Sequence, residues 1–210
     1  MPIRIEMRPD GPLLLTAENT PFPVLTRLDG EDIALEKPTA LCRCGASNNK
    51  PYCDGQHVVH GYTSENRCDD EGLQEASAPG ITVHFNRSIC SGAAECARGL
   101  PEVFESAAEN WIHPENAPVE KVIEVVKRCP SGAMTYALTD EAAPADEPTE
   151  VTVRIVKNGP YEITGHVEFE PGRWGTRADK RKFALCRCGK SGNAPFCDYS
   201  HGEQHWTDDA

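Results

Sequence analysis

Cys42-Arg43-Cys44, followed by Ser47, Pro51 and Cys53-Asp54-Gly55-Gln56-His57, is the stretch around which this chain is organised, and the chain contains it twice. The second copy reads Cys186-Arg187-Cys188, then Ser191, Pro195 and Cys197-Asp198-Tyr199-Ser200-His201. Both obey C-x-C-x8-C-x3-H, and each position lies 144 residues from its counterpart, as 42 from 186. Three thiols and an imidazole form a complete ligand set for a tetrahedral zinc ion or for an iron–sulfur cluster. Zinc sites usually separate paired cysteines by two to four residues, and here one residue separates them. The repetition extends outward from the ligands. Gly11-Pro12 matches Gly159-Pro160, and Ala40-Leu41 before Cys42 matches Ala184-Leu185 before Cys186. The repeat covers most of residues 1–63 and 151–207, so the chain reads as a duplication with an unlike segment between the copies.

With its serine, its proline and its C-D-x-x-H ending, the repeated stretch resembles the CDGSH iron–sulfur domain of the NEET proteins. That resemblance implies one 2Fe-2S cluster on Cys42, Cys44, Cys53 and His57, and a second on Cys186, Cys188, Cys197 and His201. The departures from the family pattern, Gln56 and Tyr199, occupy no ligand position. Single-motif members of the family pair as homodimers. Two motifs in one chain therefore imply an internal pseudo-dimer, and a monomeric protein. Between the paired cysteines, Arg43 and Arg187 are either solvated charges or cations that stabilise a reduced, more negative cluster. Ser47 and Ser191 either donate hydrogen bonds to cluster sulfur or close the loop.

The inserted segment has a different texture. Ile81-Thr-Val-His-Phe85 alternates like a strand, and Cys90 and Cys96 flank Ser-Gly-Ala-Ala-Glu. Ala93 to Leu100 begins a helix, and Trp111-Ile112 reads as a short strand. Val119, Val122, Ile123 and Val126 fall on one face of a helix that Asn116 would cap and that runs to about Arg128. Cys129-Pro130-Ser131-Gly132-Ala133 follows, then a strand from Met134 to Leu138. This order is similar to a single-cluster bacterial ferredoxin, and most similar to its divergent mono-cluster form. The matching residues are Cys90, Cys96, Gly99-Leu-Pro-Glu-Val-Phe104, Trp111 and Cys129 to Ala133.

The bacterial ferredoxin motif spaces its first three cysteines by two residues each. The middle one of those positions is Ala93 in this chain, and Gly92 stands where divergent members often carry a histidine. Cys90, Cys96 and Cys129 are thus expected to hold a 3Fe-4S cluster. The alternative is 4Fe-4S with Cys68 as the fourth ligand, at the entropic cost of ordering the segment that joins Cys68 to Ile81.

The expected fold class is α+β: two small β-rich modules, 1–63 and 151–210, around a ferredoxin-like domain at 81–139. Residues 64–80, polar and aperiodic, and the acidic, proline-rich residues 140–150 are expected to be linkers. In the first module, Ile3 and Ile5 with Leu13 to Leu15 predict a hairpin, and Val24, Leu25 and Leu28 a strand before a turn at Gly30. Asp54 is expected to cap a short helical turn carrying His57. In the second module Val151 to Val156, the turn at Asn158-Gly159 and Tyr161 to Phe169 predict another hairpin. His60 and His205 are expected at the surface, and His84, His113 and His166 in structural roles.

The net charge of −12 argues against a nucleic-acid or anionic-lipid surface. Met1 to Asp10 holds no apolar run, and no stretch approaches the ~20 apolar residues of a membrane span, so a cytoplasmic, membrane-free protein is expected. Ten cysteines in that setting fit metal sites better than disulfides. Phosphate loops, dinucleotide-binding glycines and nucleophile elbows do not occur in the sequence, so no enzyme activity is expected. One-electron transfer with a reductase or oxidoreductase partner is the expected function. Delivery of a cluster to an acceptor protein, or redox or pH sensing through a labile histidine ligand, is the alternative. A structural zinc protein is the third.

Overall fold

The computed structural model describes residues 3–17, 25–27, 32–33, 39–138 and 150–208. Residues 140–149 of the acidic segment read as the second linker, the Gly30 turn, Val24 and Leu28 lie outside the described residues.

Two mixed sheets are built from both copies of the repeat. In the first copy, β1 (Ile3–Met7) and β2 (Leu13–Ala17) form the expected hairpin. Ile3, Ile5, Leu13 and Leu15 are buried and their neighbours are not, which is the period-2 pattern of a half-buried sheet. Next come β3 (Leu25–Arg27), β4 (Asp32–Ile33), β5 (Thr39–Leu41) and the short helix α1 (Gln56–Val59). The second copy supplies β9 (Thr152–Ile155), β10 (Tyr161–Thr164), β11 (Val167–Phe169), β12 (Lys182–Leu185) and α4 (Ser200–Glu203).

The return strand expected from Tyr161 to Phe169 is two strands. At Gly165 φ is 90°, in the left-handed region that glycine tolerates, and the chain turns there. Past this turn the copies exchange strands. β11 leaves its own copy and pairs in parallel with β1, giving the order β11-β1-β2-β5. Reciprocally, β3 pairs in parallel with β9, giving β12-β10-β9-β3-β4. Each copy thereby covers a strand edge of the other. An apolar interior containing Leu15, Leu41, Val153, Ile163 and Leu185, with Phe169 stacked 5.2 Å from Phe183, fills the space beneath the sheets.

The middle segment forms a third sheet of order β6-β7-β8. Here the linker expected at 64–80 is corrected: Leu73–Ala78 is strand β6, antiparallel to β7 (Ile81–Asn86). It escaped the periodicity test because Leu73, Gln74, Glu75 and Ser77 are exposed, so no apolar alternation marks it. The upstream part is also fixed, since Asn66 Nδ2 donates to Asn193 Oδ1 and Arg67 N to Gly192 O. Helix α2 is Glu95–Gly99 and α3 is Val119–Val126, ahead of β8 (Met134–Leu138). In α3 the buried residues are Val122, Val125 and Val126, with Val119 and Ile123 half-buried. Asn116 does not cap it: Pro118 holds the N-cap position, and Asn116 Nδ2 donates instead to Glu102 O. Trp111-Ile112 contributes a single bridge, Phe104 to Ile112.

The middle segment sits on the second copy. Asp179 N donates to Gly132 O, Lys182 Nζ to Lys127 O, and Asn193 Nδ2 to Ser88 O. Glu71 ties the seam, accepting from Asn86 Nδ2, Arg173 Nη2 and Thr176 N at 2.7, 2.5 and 2.7 Å. Burial pushes its pKa up, but the amide of Thr176 and the guanidinium of Arg173 outweigh that and hold the carboxyl below its ordinary value.

Candidate metal centres

In each copy, one edge of the sheet delivers the paired cysteines and a short helix delivers the histidine. β5 runs into Cys42, and β12 into Cys186. Cys42 N bonds to Pro51 O and Cys53 N to Ala40 O, so the loop returns beside the strand it left. The second copy repeats this with Cys186 N to Pro195 O and Cys197 N to Ala184 O. Pro51 and Pro195 both follow cis peptide bonds.

Asp54 Oδ1 accepts from Gln56 N and its Oδ2 from Asn48 N. It braces the start of α1 as expected, although Gly55 holds the N-cap position itself. Asp198 does the same for Ser200 N and Gly192 N.

The ligands come in pairs. Cys42 Sγ and Cys44 Sγ are 3.6 Å apart, and Cys186 Sγ and Cys188 Sγ 3.7 Å. Cys53 Sγ lies 3.4 Å from His57 Nδ1, and Cys197 Sγ 3.3 Å from His201 Nδ1. On a tetrahedral metal with metal–sulfur bonds of about 2.3 Å and metal–nitrogen bonds of about 2.0 Å, two thiolates stand about 3.8 Å apart, and a thiolate and imidazole nitrogen about 3.5 Å apart. Each pair therefore spans one edge of a metal tetrahedron. Among the described residues no three His, Cys, Asp or Glu side chains converge on a single ion. Each copy therefore offers two ligand pairs to a metal group, one of two cysteines and one of cysteine and histidine.

Backbone amides favour the charged thiolates that such a group needs. The contact with Cys44 lowers the Cys42 thiol to about 6 against the opposing effect of burial, with help from the amides of Ser47 and Gly45, while Cys44 is raised by the same contact. Cys186 is likewise brought to about 7 by Cys188, whose own thiol is raised. Burial lowers the His201 imidazole, keeping it neutral and able to ligate.

The arginines between the cysteines are not solvated. Arg43 and Arg187 are only 3% and 2% exposed. Arg43 donates to the carbonyls of Gly11 and Arg8, and Arg187 to those of Gly159 and Val156. Each clamps its copy's Gly-Pro hairpin turn, and Arg187 also pairs with Asp208 at 2.6 Å. Ser47 and Ser191 close the loop: each hydroxyl donates its proton to a carbonyl, that of Tyr52 or Phe196, at 2.6 Å. Having one proton each, they hold none for a sulfur.

The two C-x-C loops lie back to back. Cys44 and Cys188 form an antiparallel bridge across the pseudo-dimer. Gly45 and Gly189 follow them with φ of 76° and 73°, and a Cβ on Gly45 would come within 2.5 Å of Cys188 O. One residue that sequence reasoning missed also crosses this boundary. Tyr161, fully buried in the second copy, donates to Cys42 O at 2.9 Å and approaches Pro51 O at 3.1 Å. Its place after Gly159-Pro160 is held in the first copy by Leu13, a contrast visible in the aligned repeats.

In the middle segment Cys90, Cys96 and Cys129 line a single cavity with Ala93, Ser131 and Met134. Ala93 occupies this lining with a methyl group. Burial raises the thiols of Cys90 and Cys96. Cys68 does not line this cavity. Its thiol bonds to Asp70 O at 3.3 Å and faces grooves shared with Asn66, Arg173 and Asp198. None of the ten cysteines is in a disulfide. His84 is buried between Glu75 and Arg177, with Nδ1 3.0 Å from Glu75 Oε1 and Nε2 2.8 Å from Arg177 Nη1. His60 and His205 are exposed. No helix among the described residues is long and apolar enough to cross a membrane.

The sequence profile described as iron-binding zinc finger CDGSH type matches residues 10–58 and 158–202, and that described as divergent 4Fe-4S mono-cluster matches residues 77–139. Uncharacterized protein YjdI of Escherichia coli (strain K12) is 36% identical over 67 residues, which span 32% of this chain and 88% of that protein. YjdI of Escherichia coli O157:H7 matches to the same extent. No solved structure matches.

Proposed function

Since the chain belongs to the CDGSH iron–sulfur family, with a divergent 4Fe-4S mono-cluster domain between its two CDGSH regions, we propose that it is a non-enzymatic carrier of single electrons. In this reading Cys42, Cys44, Cys53 and His57 hold one 2Fe-2S cluster, and Cys186, Cys188, Cys197 and His201 the other. Cys90, Cys96 and Cys129 hold a third, of the 3Fe-4S type. Bound clusters would supply one-electron chemistry that protein side chains lack.

The observation that carries this reading is the grouping of ligands into pairs, with separations of 3.3 to 3.7 Å. A 2Fe-2S rhomb offers two irons with two open corners each, and each pair fits one iron. A single zinc ion would draw all four ligands around one point. The third site is read as three-coordinate because Ala93 lines its cavity while Cys68 bonds elsewhere. Iron and sulfide analysis with EPR on anaerobically purified protein tests the proposal. Two 2Fe-2S signals on reduction and an odd-electron signal from the oxidised middle centre are expected. Colourless, zinc-loaded protein overturns the reading. An EPR-silent oxidised middle centre would replace 3Fe-4S by 4Fe-4S.

Cluster delivery is a second reading, favoured by one observation at the first copy. Next to His57, Val58 and Val59 are 75% and 77% exposed, which leaves that histidine's helix open to an acceptor protein. Transfer of iron and sulfide to an apo-ferredoxin, faster from the first copy than from the second, would support it.

A further inference from the structure

The two CDGSH sites are alike in ligands and unlike in surroundings. The residue between the third cysteine and the histidine that differs most is Gly55 in the first copy and Tyr199 in the second. Both adopt positive φ, 89° and 78°. Glycine holds that conformation without strain, whereas a tyrosine there costs on the order of 1 kcal/mol. A Cβ added to Gly55 would meet nothing within 4 Å, so the first copy presents open space at this point.

Tyr199 is 37% exposed, and its ring lies against two glycines: a Cβ on Gly92 or on Gly202 would overlap the ring atoms. Gly92 is in the loop that joins Cys90 to Cys96, the ligands of the middle site, and Gly202 follows His201 in α4. The ring also meets His201, centroid to centroid at 5.3 Å with an edge-on angle of 79°. Further contacts fasten the same junction. Arg87 Nη1 donates to Asp198 O at 3.1 Å, Arg87 pairs with Glu203 at 3.6 Å, and Asn193 Nδ2 donates to Ser88 O at 2.9 Å.

We propose that Tyr199 is a positioning residue that locks the second CDGSH site to the ferredoxin-like site, making these two centres an internal electron-exchange pair through a link to the middle site that the first CDGSH site, with Gly55 in this place, lacks. It acts by holding the Cys90–Cys96 loop against His201. This inference rests on the function proposed above. With clusters bound, the second-copy centre held by Cys186, Cys188, Cys197 and His201 would give up one electron when reduced, and the oxidised middle centre held by Cys90, Cys96 and Cys129 would take it up, with Tyr199 holding the two sites together. Nothing else is transferred, and dithionite supplies the electron in the test.

The test is the spin relaxation of the reduced 2Fe-2S signals in the full chain, with the first copy as internal control. A nearby paramagnetic centre speeds relaxation, so the second-copy signal should need more microwave power to saturate than the first-copy signal. Tyr199→Gly installs the residue of the first copy and removes the backbone strain, so the fold should persist. It is expected to reduce the saturation power of the second-copy signal to that of the first, whereas Tyr199→Phe keeps the ring and should leave it unchanged. Gly92→Ala attacks the same contact from the other side and should act as Tyr199→Gly does. If Tyr199→Gly retains both signals and the middle centre but leaves relaxation unaltered, the inference is wrong. A wild-type chain lacking the three centres would overturn the functional reading itself, and the inference with it.

Discussion

Replacing Gly45 by alanine tests the back-to-back arrangement of the two C-x-C loops. Gly45 has φ of 76°, and an alanine there costs about 1–2 kcal/mol in the left-handed region. The added methyl would also stand 2.5 Å from Cys188 O and 2.8 Å from Cys188 C. These are backbone atoms held by the Cys44–Cys188 bridge, so no rotamer change relieves the contact. Overpacking of this kind costs about 1–3 kcal/mol. Gly45→Ala is therefore expected to destabilise the protein by roughly 2–5 kcal/mol. Gly55→Ala is the control: φ is 89° and nothing lies within 4 Å, so only the backbone term of about 1–2 kcal/mol applies. At about 2–4 °C per kcal/mol for a chain of this size, Gly45→Ala should lower the melting temperature by roughly 4–20 °C and Gly55→Ala by roughly 2–8 °C. Thermal scans of the purified wild type and both variants, followed by circular dichroism and visible absorbance, supply the comparison. Equal losses in the two variants would refute the close approach of the loops.

Other consequences are open to measurement. Tyr161→Phe leaves the buried Cys42 carbonyl without its donor, at a cost of about 1–3 kcal/mol; the first-copy centre should release iron sooner in urea, and equal release from both copies would count against this. Glu71 has a carboxyl pKa held below its ordinary value, so its stabilising effect is complete above the unfolded value near 4.5 and is lost as pH falls through the lower folded value. Glu71→Gln should therefore flatten the acid limb of a stability-versus-pH curve, and an unchanged limb would show that the seam does not depend on this charge. His57 and His201 lose metal affinity when protonated, so both CDGSH centres should bleach in acid, and changing both histidines to cysteine should abolish that sensitivity. Sedimentation should give one chain of 23.0 kDa, because the exchanged strands already pair the two copies within it; a stable dimer would contradict that expectation.

The sequence by itself determined how the candidate ligands are grouped along the chain. Spacing places Cys42, Cys44, Cys53 and His57, and their counterparts 144 residues on, within one loop and one helical turn each, and such local geometry is written in short-range order. The hairpins were legible for the same reason, through alternation at Ile3 and Ile5 and the Gly-Pro turns. What only the tertiary structure decided involves partners distant along the chain. Strand β6 carries no apolar alternation and is specified by its ladder to β7. The exchange of β3 and β11 cannot be read from either copy, because each strand finds its partner in the other copy. Arg43 and Arg187 look like surface charges between cysteines, yet hairpin carbonyls more than 25 residues away, 28 for Arg187 and Gly159, take them into the interior. The duplication promises two equivalent sites. Seating the middle segment on the second copy breaks that equivalence, setting the part-exposed Tyr199 ring against Gly92 while Gly55 faces open space.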